Sequence, residues 1–251
     1  MPGLTESGKS TIINQVRQTV AHGHPIDMGI YVNADLIAAD LAKGEFTFAN
    51  YEISNITMQE LIDYASVSGL FRSKFNEQTL RLAINLDNGV RLINIEQKEV
   101  VAQLLSNFLI GYLLQSEKKC SMETVFSHVS KVHFMQQAKS LGYKVYLYFV
   151  ATEDPLINIA RVQSRVAQGG HDVPEQKIRD RYIKSLSLMY DAAQEAYQAY
   201  FFDNSGAKGK HQQIAHFKLV GRKKKWDQYN ADDLPEWFVK YYAEKQPLQH
   251  S

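Results

Sequence analysis

A glycine-rich loop near the start of the chain matches the phosphate-binding pattern G-x-x-x-x-G-K-[ST] at every fixed position. The loop and the residue after it are Gly3, Leu4, Thr5, Glu6, Ser7, Gly8, Lys9, Ser10 and Thr11. In such loops backbone N–H groups surround the phosphate oxygens, the lysine adds a cation at the β- and γ-phosphates, and the serine hydroxyl binds Mg²⁺. The loop therefore predicts a nucleoside triphosphate site, with Lys9 at the phosphates and Ser10 at the metal.

The residues after the loop have the spacing of a helix. In Thr11 to Val20 the apolar residues Ile12, Ile13, Val16 and Val20 recur at helical intervals. The N-terminus of this helix would point at the bound phosphates, where its dipole favours negative charge.

The strand that normally leads into a phosphate-binding loop is missing from this sequence, because only Met1 and Pro2 precede Gly3. We expect that the start was assigned too late or that the sequence is a fragment. The sheet should then show strands at Ile30–Val32 and Lys144–Val150, with a gap or only weak pairing where the absent strand would run.

Composition limits the class of protein. The chain has 251 residues, 45% of them hydrophobic, which fits one α/β domain with insertions. Its 28 basic and 27 acidic residues nearly cancel, so no global field attracts nucleic acid or anionic membrane. Cys120 is the single cysteine and cannot form an internal disulfide, and the apolar stretch Phe108–Leu114 is too short to span a bilayer. We expect a soluble, cytoplasmic protein with no membrane partner.

Strand-like and helix-like segments alternate through much of the chain, which predicts a P-loop NTPase-type parallel sheet flanked by helices. The strands are expected at 29–33, 144–152 and 199–203. A helix should follow the first of them over 36–42, and another should begin at Pro155 with Asp154 as its cap.

Three regions depart from this alternation within a single P-loop domain of residues 1–251. Residues 44–96 read as an inserted subdomain, with a capping box at Thr57–Glu60 and a hairpin turn at Asn88–Gly89. A buried core helix is expected over 97–115, with a coiled coil as the alternative. Residues 206–245 should form a hairpin and a short aromatic helix.

A kinase must also place a carboxylate beside the acceptor hydroxyl. Asp35 is the first candidate, since it follows the carboxyl end of a predicted strand, where ligands gather in α/β sheets. The alternative is that Asp35 caps the next helix. Glu123, next to Thr124, is the second candidate, because a carboxylate in a strand-like run is costly to bury without a partner. Its alternative is an exposed position on an edge strand.

Arginines cluster around a glycine turn in the second half of the chain. Arg161 and Arg165 lie one helical turn apart, the turn Gly169–His171 follows, and Arg179 and Arg181 come on the next helix. Such guanidinium groups suit a lid that neutralises a transferred phosphoryl group. The alternative is a solvated helical face paired with nearby acidic residues.

Taken together, these motifs resemble the zeta-toxin-like group of P-loop kinases, in its stand-alone chromosomal branch, whose members are often described only as ATPases. The resemblance covers most of the chain outside Gly44–Lys119. The matching segments are the phosphate loop, Asn33–Ala38, Met122–His128, Gly142–Pro155, Arg165–Pro174 and Phe201–Ser205.

The resemblance implies an ATP- and Mg²⁺-dependent kinase that phosphorylates a small hydroxyl-bearing molecule of the UDP-N-acetylglucosamine type. By that resemblance Lys9 and Ser10 would hold phosphate and metal, and Asp35 would be the base. Glu123 would contact the acceptor or the metal, with Thr124 beside it at the acceptor. The lid arginines, for which Arg165 and Arg179 are the candidates, would stabilise the transition state. An antitoxin-like inhibitor protein is a further partner to consider, and toxicity is not assumed.

Two other functions compete with this interpretation. The first is an ATPase or nucleotide switch that has no acceptor. The presence of a candidate base, Asp35, argues against this function, because a hydrolase mainly needs to position water. The second is nucleic-acid 5′-end phosphorylation, suggested by Arg222–Lys225 beside Trp226. That basic run straddles a predicted hairpin turn, where charges keep an edge strand solvated, so we favour the edge-strand role over nucleic acid.

Overall fold

The computed structural model describes residues 9–21, 23–67, 77–86, 90–92, 97–170, 172–206, 211–227 and 233–246. These residues form two compact units. The first unit contains residues 9–26 and those from Val125 onward, and the second contains Asp27–Thr124. Each is treated by itself below.

The described α-helices, in chain order, are α1 (Lys9–Gln18), α2 (Ala34–Lys43), α3 (Met58–Val67), α4 (Glu77–Ala83), α5 (Lys98–Gln115), α6 (Ser130–Ser140), α7 (Pro155–Val166), α8 (Glu175–Glu195) and α9 (Glu236–Tyr241). The described strands are β1 (Val20–Ala21), β2 (His24–Pro25), β3 (Ile30–Asn33), β4 (Ile84–Asn85), β5 (Arg91–Leu92), β6 (Cys120–Glu123), β7 (Tyr146–Ala151), β8 (Gln198–Asp203), β9 (Gln212–Val220) and β10 (Lys223–Trp226). Short 3₁₀ turns cover Phe48–Tyr51 and Ala243–Lys245. Among the described residues, no helix is long and apolar enough to cross a membrane.

The second unit is built around helix α5. Twelve of its residues are buried, from Val101 to Leu114, and they lie on all sides of the helix. The prediction of a core helix over 97–115 is therefore confirmed. Helix α2 packs against α5, and the Tyr64 ring packs edge-on against the Phe108 ring of α5 at a centroid distance of 5.4 Å.

Strands β3 and β6 of the second unit pair in parallel. The ladder begins with Ile30 opposite Cys120, just after Gly29, whose φ of +64° favours glycine. A Cβ at Gly29 would lie 2.2 Å from the Lys119 carbonyl oxygen, so only glycine lets the two strands start side by side. The same unit contains the antiparallel pair β4–β5, which agrees with the predicted hairpin, although its Asn88–Gly89 turn lies outside the described residues.

Local signals in the sequence set several helix starts. The Thr57 hydroxyl accepts the Glu60 N–H at 3.2 Å, and the Glu60 carboxylate accepts the Thr57 N–H at 2.7 Å, which is the predicted capping box. Helix α7 begins at Pro155, and the Asp154 carboxylate accepts the Leu156 N–H at 2.7 Å. Both of these predictions are confirmed.

The first unit contains a four-stranded mixed sheet in the order β10–β9–β8–β7. Strands β7 and β8 are parallel, whereas β9 and β10 continue the sheet antiparallel, as the predicted C-terminal hairpin requires. One face of this sheet carries the core, where the Phe201 ring meets the rings of Phe238 and Tyr242 at centroid distances of 5.0 and 5.2 Å. The short aromatic helix predicted near the C-terminus is α9.

The architecture is thus mixed α/β, as predicted, but the described strands do not form the single parallel sheet that was also predicted. Within the described residues the two parallel pairs, β3–β6 and β7–β8, belong to separate sheets, and the larger of these sheets is mixed. A lack of pairing between those pairs is also what the missing-strand hypothesis predicts. That a strand precedes the phosphate-binding motif stays a prediction.

Candidate functional site

Four polar side chains share one face of the β3–β6 pair. The register places Tyr31 opposite Ser121 and Asn33 opposite Glu123. Because side chains alternate between faces along a strand, all four point to the same side, and Val32 points to the other and is fully buried. Asn33 and Glu123 are the last residues of their strands, at the carboxyl edge where α/β sheets bind ligands.

The Glu123 carboxylate is buried and held by two donors. Its side chain belongs to a residue only 6% exposed. One of its oxygens, Oε2, accepts a short hydrogen bond from the Tyr31 hydroxyl and a second, of 3.1 Å, from Asn33 Nδ2. Burying a carboxylate is costly unless donors surround it, and these two supply that compensation. The exposed edge-strand alternative for Glu123 is therefore wrong.

Asp35 lies in the first turn of α2 and is exposed. The residue that caps this helix is Asn33, whose Oδ1 accepts the N–H of Asp35 at 2.8 Å and that of Leu36 at 3.4 Å. The alternative that Asp35 is the cap is wrong, because α2 begins at Ala34, two residues before the predicted start. The Asp35 side chain is thus not needed as the cap of α2.

The predicted phosphate-binding loop, Gly3–Gly8, lies outside the described residues. Lys9 and Ser10 open α1, where only their backbone is described, and Thr11 follows in the same turn, partly buried. Ile12 is 2% exposed, so α1 packs one apolar face inward, as the predicted helical spacing requires. A helix therefore follows the motif, as predicted, but it ends at Gln18, and Val20, expected on its apolar face, lies in β1 and is exposed.

The two arginines chosen for the lid lie on neighbouring helices of the first unit. Arg165 lies on α7 and Arg179 on α8, and both are partly buried. The helices share a small apolar core of Ile159, Val162 and Ile178. Beside it lies an open cavity of about 500 Å³, lined by Gln163, Val166, Asp172, Glu175 and their neighbours.

Gly170 lies directly against both the backbone and the side chain of Arg165. The Gly170 N–H donates to the Arg165 carbonyl oxygen at 3.0 Å, and a Cβ on Gly170 would lie 2.5 Å from Arg165 Cγ. The bulk of any other residue would therefore displace Arg165. The predicted role of these arginines in catalysis stays a prediction.

Arg161 has a structural role that the sequence did not reveal. Its Nη2 donates to the carbonyl oxygens of Asn204 at 2.7 Å and Gly206 at 3.2 Å, just beyond the carboxyl end of β8. Burial lowers the pKa of Arg161, and the nearby Asp203 carboxylate opposes that effect. This guanidinium therefore stabilises the loop that follows β8 in the same unit.

The loop after β7 is also stabilised by a side chain that donates to its backbone carbonyl groups. The Tyr182 hydroxyl lies 2.9 Å from the carbonyl oxygens of both Thr152 and Glu153. Burial and the Asp203 charge raise the pKa of Glu153, while hydrogen bonds from the backbone N–H groups of Glu236 and Trp237 oppose that rise. These contacts join the β7 edge to helices α8 and α9.

Within the described ranges, no group of three or more His, Cys, Asp or Glu side chains is arranged to hold a metal ion. Such a group is not what the predicted Mg²⁺ site needs, because Mg²⁺ usually takes one or two protein oxygens and completes its shell with water and substrate phosphates. The hydroxyl of Ser10 has the donor chemistry for that role.

Comparison with known proteins gives one informative match. An uncharacterised protein of Haemophilus influenzae is 26% identical over 133 residues, an alignment that covers 51% of this chain and 95% of that protein. No protein-family model matches the chain, and no solved structure matches it. The activity must therefore be argued from the site.

Proposed function

We propose that this protein is an ATP-dependent phosphotransferase that acts on a hydroxyl group of a small molecule. The observation that carries the proposal is the buried Glu123 carboxylate, held by Tyr31 and Asn33 at the carboxyl edge of a parallel strand pair, with Asp35 at the start of the next helix. A preorganised polar group at this edge suits a substrate site. The phosphate-binding motif ahead of α1 supplies the donor half of the reaction.

In this proposal, Gly3–Thr11 bind ATP, with Lys9 at the transferred phosphate and the Ser10 hydroxyl at Mg²⁺. The metal, when bound, neutralises charge on the phosphates. The acceptor hydroxyl oxygen attacks the γ-phosphorus, the bond from that phosphorus to the β-phosphate oxygen breaks, and ADP leaves. The hydroxyl proton passes to the Asp35 carboxylate.

Glu123 and Thr124 are proposed to contact the acceptor, and Arg165 and Arg179 to stabilise charge on the phosphoryl group in flight. The resemblance to zeta-toxin-like kinases favours a UDP-N-acetylglucosamine-type acceptor and raises an antitoxin-like inhibitor as a partner. A cytoplasmic location is also proposed, because the single cysteine, Cys120, cannot form an internal disulfide.

The basic run near the C-terminus is better explained as part of an edge strand than as a nucleic-acid site. Lys224 Nζ donates to Gln194 Oε1 at 2.8 Å and to the Tyr242 hydroxyl at 3.1 Å, so this lysine serves its own unit. Lys223 and Lys225 are exposed on β10, which ends the described sheet, and exposed lysines keep such edges from pairing with other chains.

The decisive experiment measures ATP consumption by the wild type and by Lys9→Ala and Asp35→Asn, with and without a panel of nucleotide sugars, nucleosides and RNA 5′ ends. We expect stimulation by one small hydroxyl acceptor, and none with Lys9→Ala. Asp35→Asn should keep ATP-dependent thermal stabilisation while turnover falls by roughly 10²–10⁴-fold, the usual contribution of acid–base catalysis. Equal ATP stabilisation of wild type and Lys9→Ala would refute the nucleotide site, and stimulation by RNA ends alone would replace the small-molecule acceptor.

A further inference from the structure

The Asn33 side chain makes hydrogen bonds in two directions. Its Oδ1 accepts the backbone N–H groups of Asp35 and Leu36 at the start of α2. Its Nδ2 donates to the Tyr31 hydroxyl at 3.0 Å and to Glu123 Oε2 at 3.1 Å. One buried amide, on a residue 8% exposed, therefore joins the helix that carries Asp35 to the carboxylate that ends β6.

The chemistry of the neighbours fixes which way this amide points. Backbone N–H groups can only donate, and a carboxylate can only accept. If the amide were reversed, its NH₂ group would face the backbone N–H groups of α2, donor against donor. Its oxygen would face the Glu123 carboxylate, acceptor against acceptor. Only the observed orientation satisfies both sides, so the amide cannot rotate without breaking its bonds in both directions.

A serine, threonine or aspartate would cap α2 as well as asparagine does. None of these can also donate two hydrogen bonds to a hydroxyl and a carboxylate. Asparagine is therefore the residue that combines the cap with the link to Glu123, and capping alone does not explain why it is here.

We propose that Asn33 is a positioning residue that holds Asp35 and Glu123 in a fixed relation, so that the acceptor bound by Glu123 presents its hydroxyl to Asp35. This inference rests on the proposed kinase function. Phosphoryl transfer depends mainly on positioning, and a displacement of about 1 Å can cost on the order of 10²-fold in rate. Tyr31 completes the arrangement, because its hydroxyl donates to Glu123 while accepting from Asn33.

The test compares three variants that separate the cap from the link. Asn33→Ser keeps a capping hydroxyl but is too short to reach Glu123. Asn33→Asp keeps the cap and sets a second carboxylate against Glu123. Asn33→Ala loses both functions. Hydrogen exchange at the Leu36 amide reports the cap, and acceptor-stimulated ATP turnover reports positioning.

We expect Leu36 exchange to stay near the wild-type rate in Asn33→Ser and to accelerate in Asn33→Ala. Turnover should nevertheless fall about 10²-fold in Asn33→Ser and further in Asn33→Asp, with a raised KM for the acceptor and an unchanged KM for ATP. Wild-type turnover and acceptor KM in Asn33→Ser would show that Asn33 is only a cap and would overturn the inference.

A second measurement separates failure of this inference from failure of the proposed function. Thermal unfolding of Asn33→Ser, Glu123→Gln and the double variant forms a double-mutant cycle. We expect non-additive losses, because the two side chains share a hydrogen bond. If the wild type shows no acceptor-stimulated turnover, the kinase proposal fails, and the positioning role of Asn33 in that reaction fails with it. Additive losses would show that Asn33 does not link α2 to β6, whatever the turnover.

Discussion

Removing the Tyr31 hydroxyl tests how much the buried carboxylate depends on its donors. Tyr31→Phe keeps the ring and deletes the group that donates to Glu123 Oε2 and accepts from Asn33 Nδ2. A hydrogen bond to a charged group contributes about 1.5–3 kcal/mol, and Glu123 is too buried for water to replace the donor easily. The variant should therefore lose about that much free energy of unfolding.

For a chain of this size, such a loss corresponds to a decrease of roughly 3–12 °C in the unfolding temperature. The assay is thermal unfolding followed by calorimetry, with the denaturant midpoint as a second measure. Tyr64→Phe is the matched control in the same unit, since the Tyr64 ring packs edge-on against Phe108 at a centroid distance of 5.4 Å and that packing survives the change. If Tyr31→Phe unfolds at the wild-type temperature, or no lower than the control, Glu123 is not held in the way described.

Three further changes test other parts of the structure. Thr57→Ala removes the capping box with Glu60 and should cost about 0.5–2 kcal/mol, with faster amide exchange at Glu60; unchanged exchange would count against the box. Burial lowers the pKa of Lys224 from 10.5 to about 8, so the native state binds that proton less tightly than the unfolded state does. The free energy of unfolding should therefore increase as the pH is raised from about 8 to 10.5. Lys224→Met should lack this increase when both proteins are unfolded across the same pH range. Gly170→Ala would drive a methyl group against Arg165 and should cost about 1–3 kcal/mol in thermal unfolding, whereas a wild-type result would show that Arg165 moves away freely.

The elements that the sequence predicted well are those set by neighbouring residues. The capping box at Thr57, the start of α7 at Pro155 and the hairpin β9–β10 each depend on interactions within a few residues, and each is confirmed. Helix α5 was predictable because a run of apolar residues on every side can only be buried.

What the sequence could not predict depends on contacts between distant segments. Asn33 and Asp35 are both good capping residues, and only the backbone conformation at Asn33 decides between them. The link from Asn33 to Glu123 requires β3 to pair with β6, two strands separated by most of the second unit. Likewise, Arg161 was grouped with the lid because of its helical spacing, whereas its side chain reaches carbonyl groups beyond β8.

The partners of the polar groups distinguish the two carboxyl edges. At the β7–β8 edge, Arg161 and Tyr182 donate to backbone carbonyl groups, so both side chains stabilise loops that would otherwise leave those oxygens without donors. At the β3–β6 edge, Tyr31 and Asn33 donate to the Glu123 carboxylate itself.

Well-packed apolar residues could stabilise the fold at least as much as a buried carboxylate with its donors, and they often stabilise it more. A fold that needed only stability would thus have little reason to bury Glu123 at the end of β6. A substrate site does have a reason, because a carboxylate already fixed by two donors need not reorganise when an acceptor binds. Glu123 is therefore the centre of the proposed substrate site, and the polar contacts of the other edge are structural.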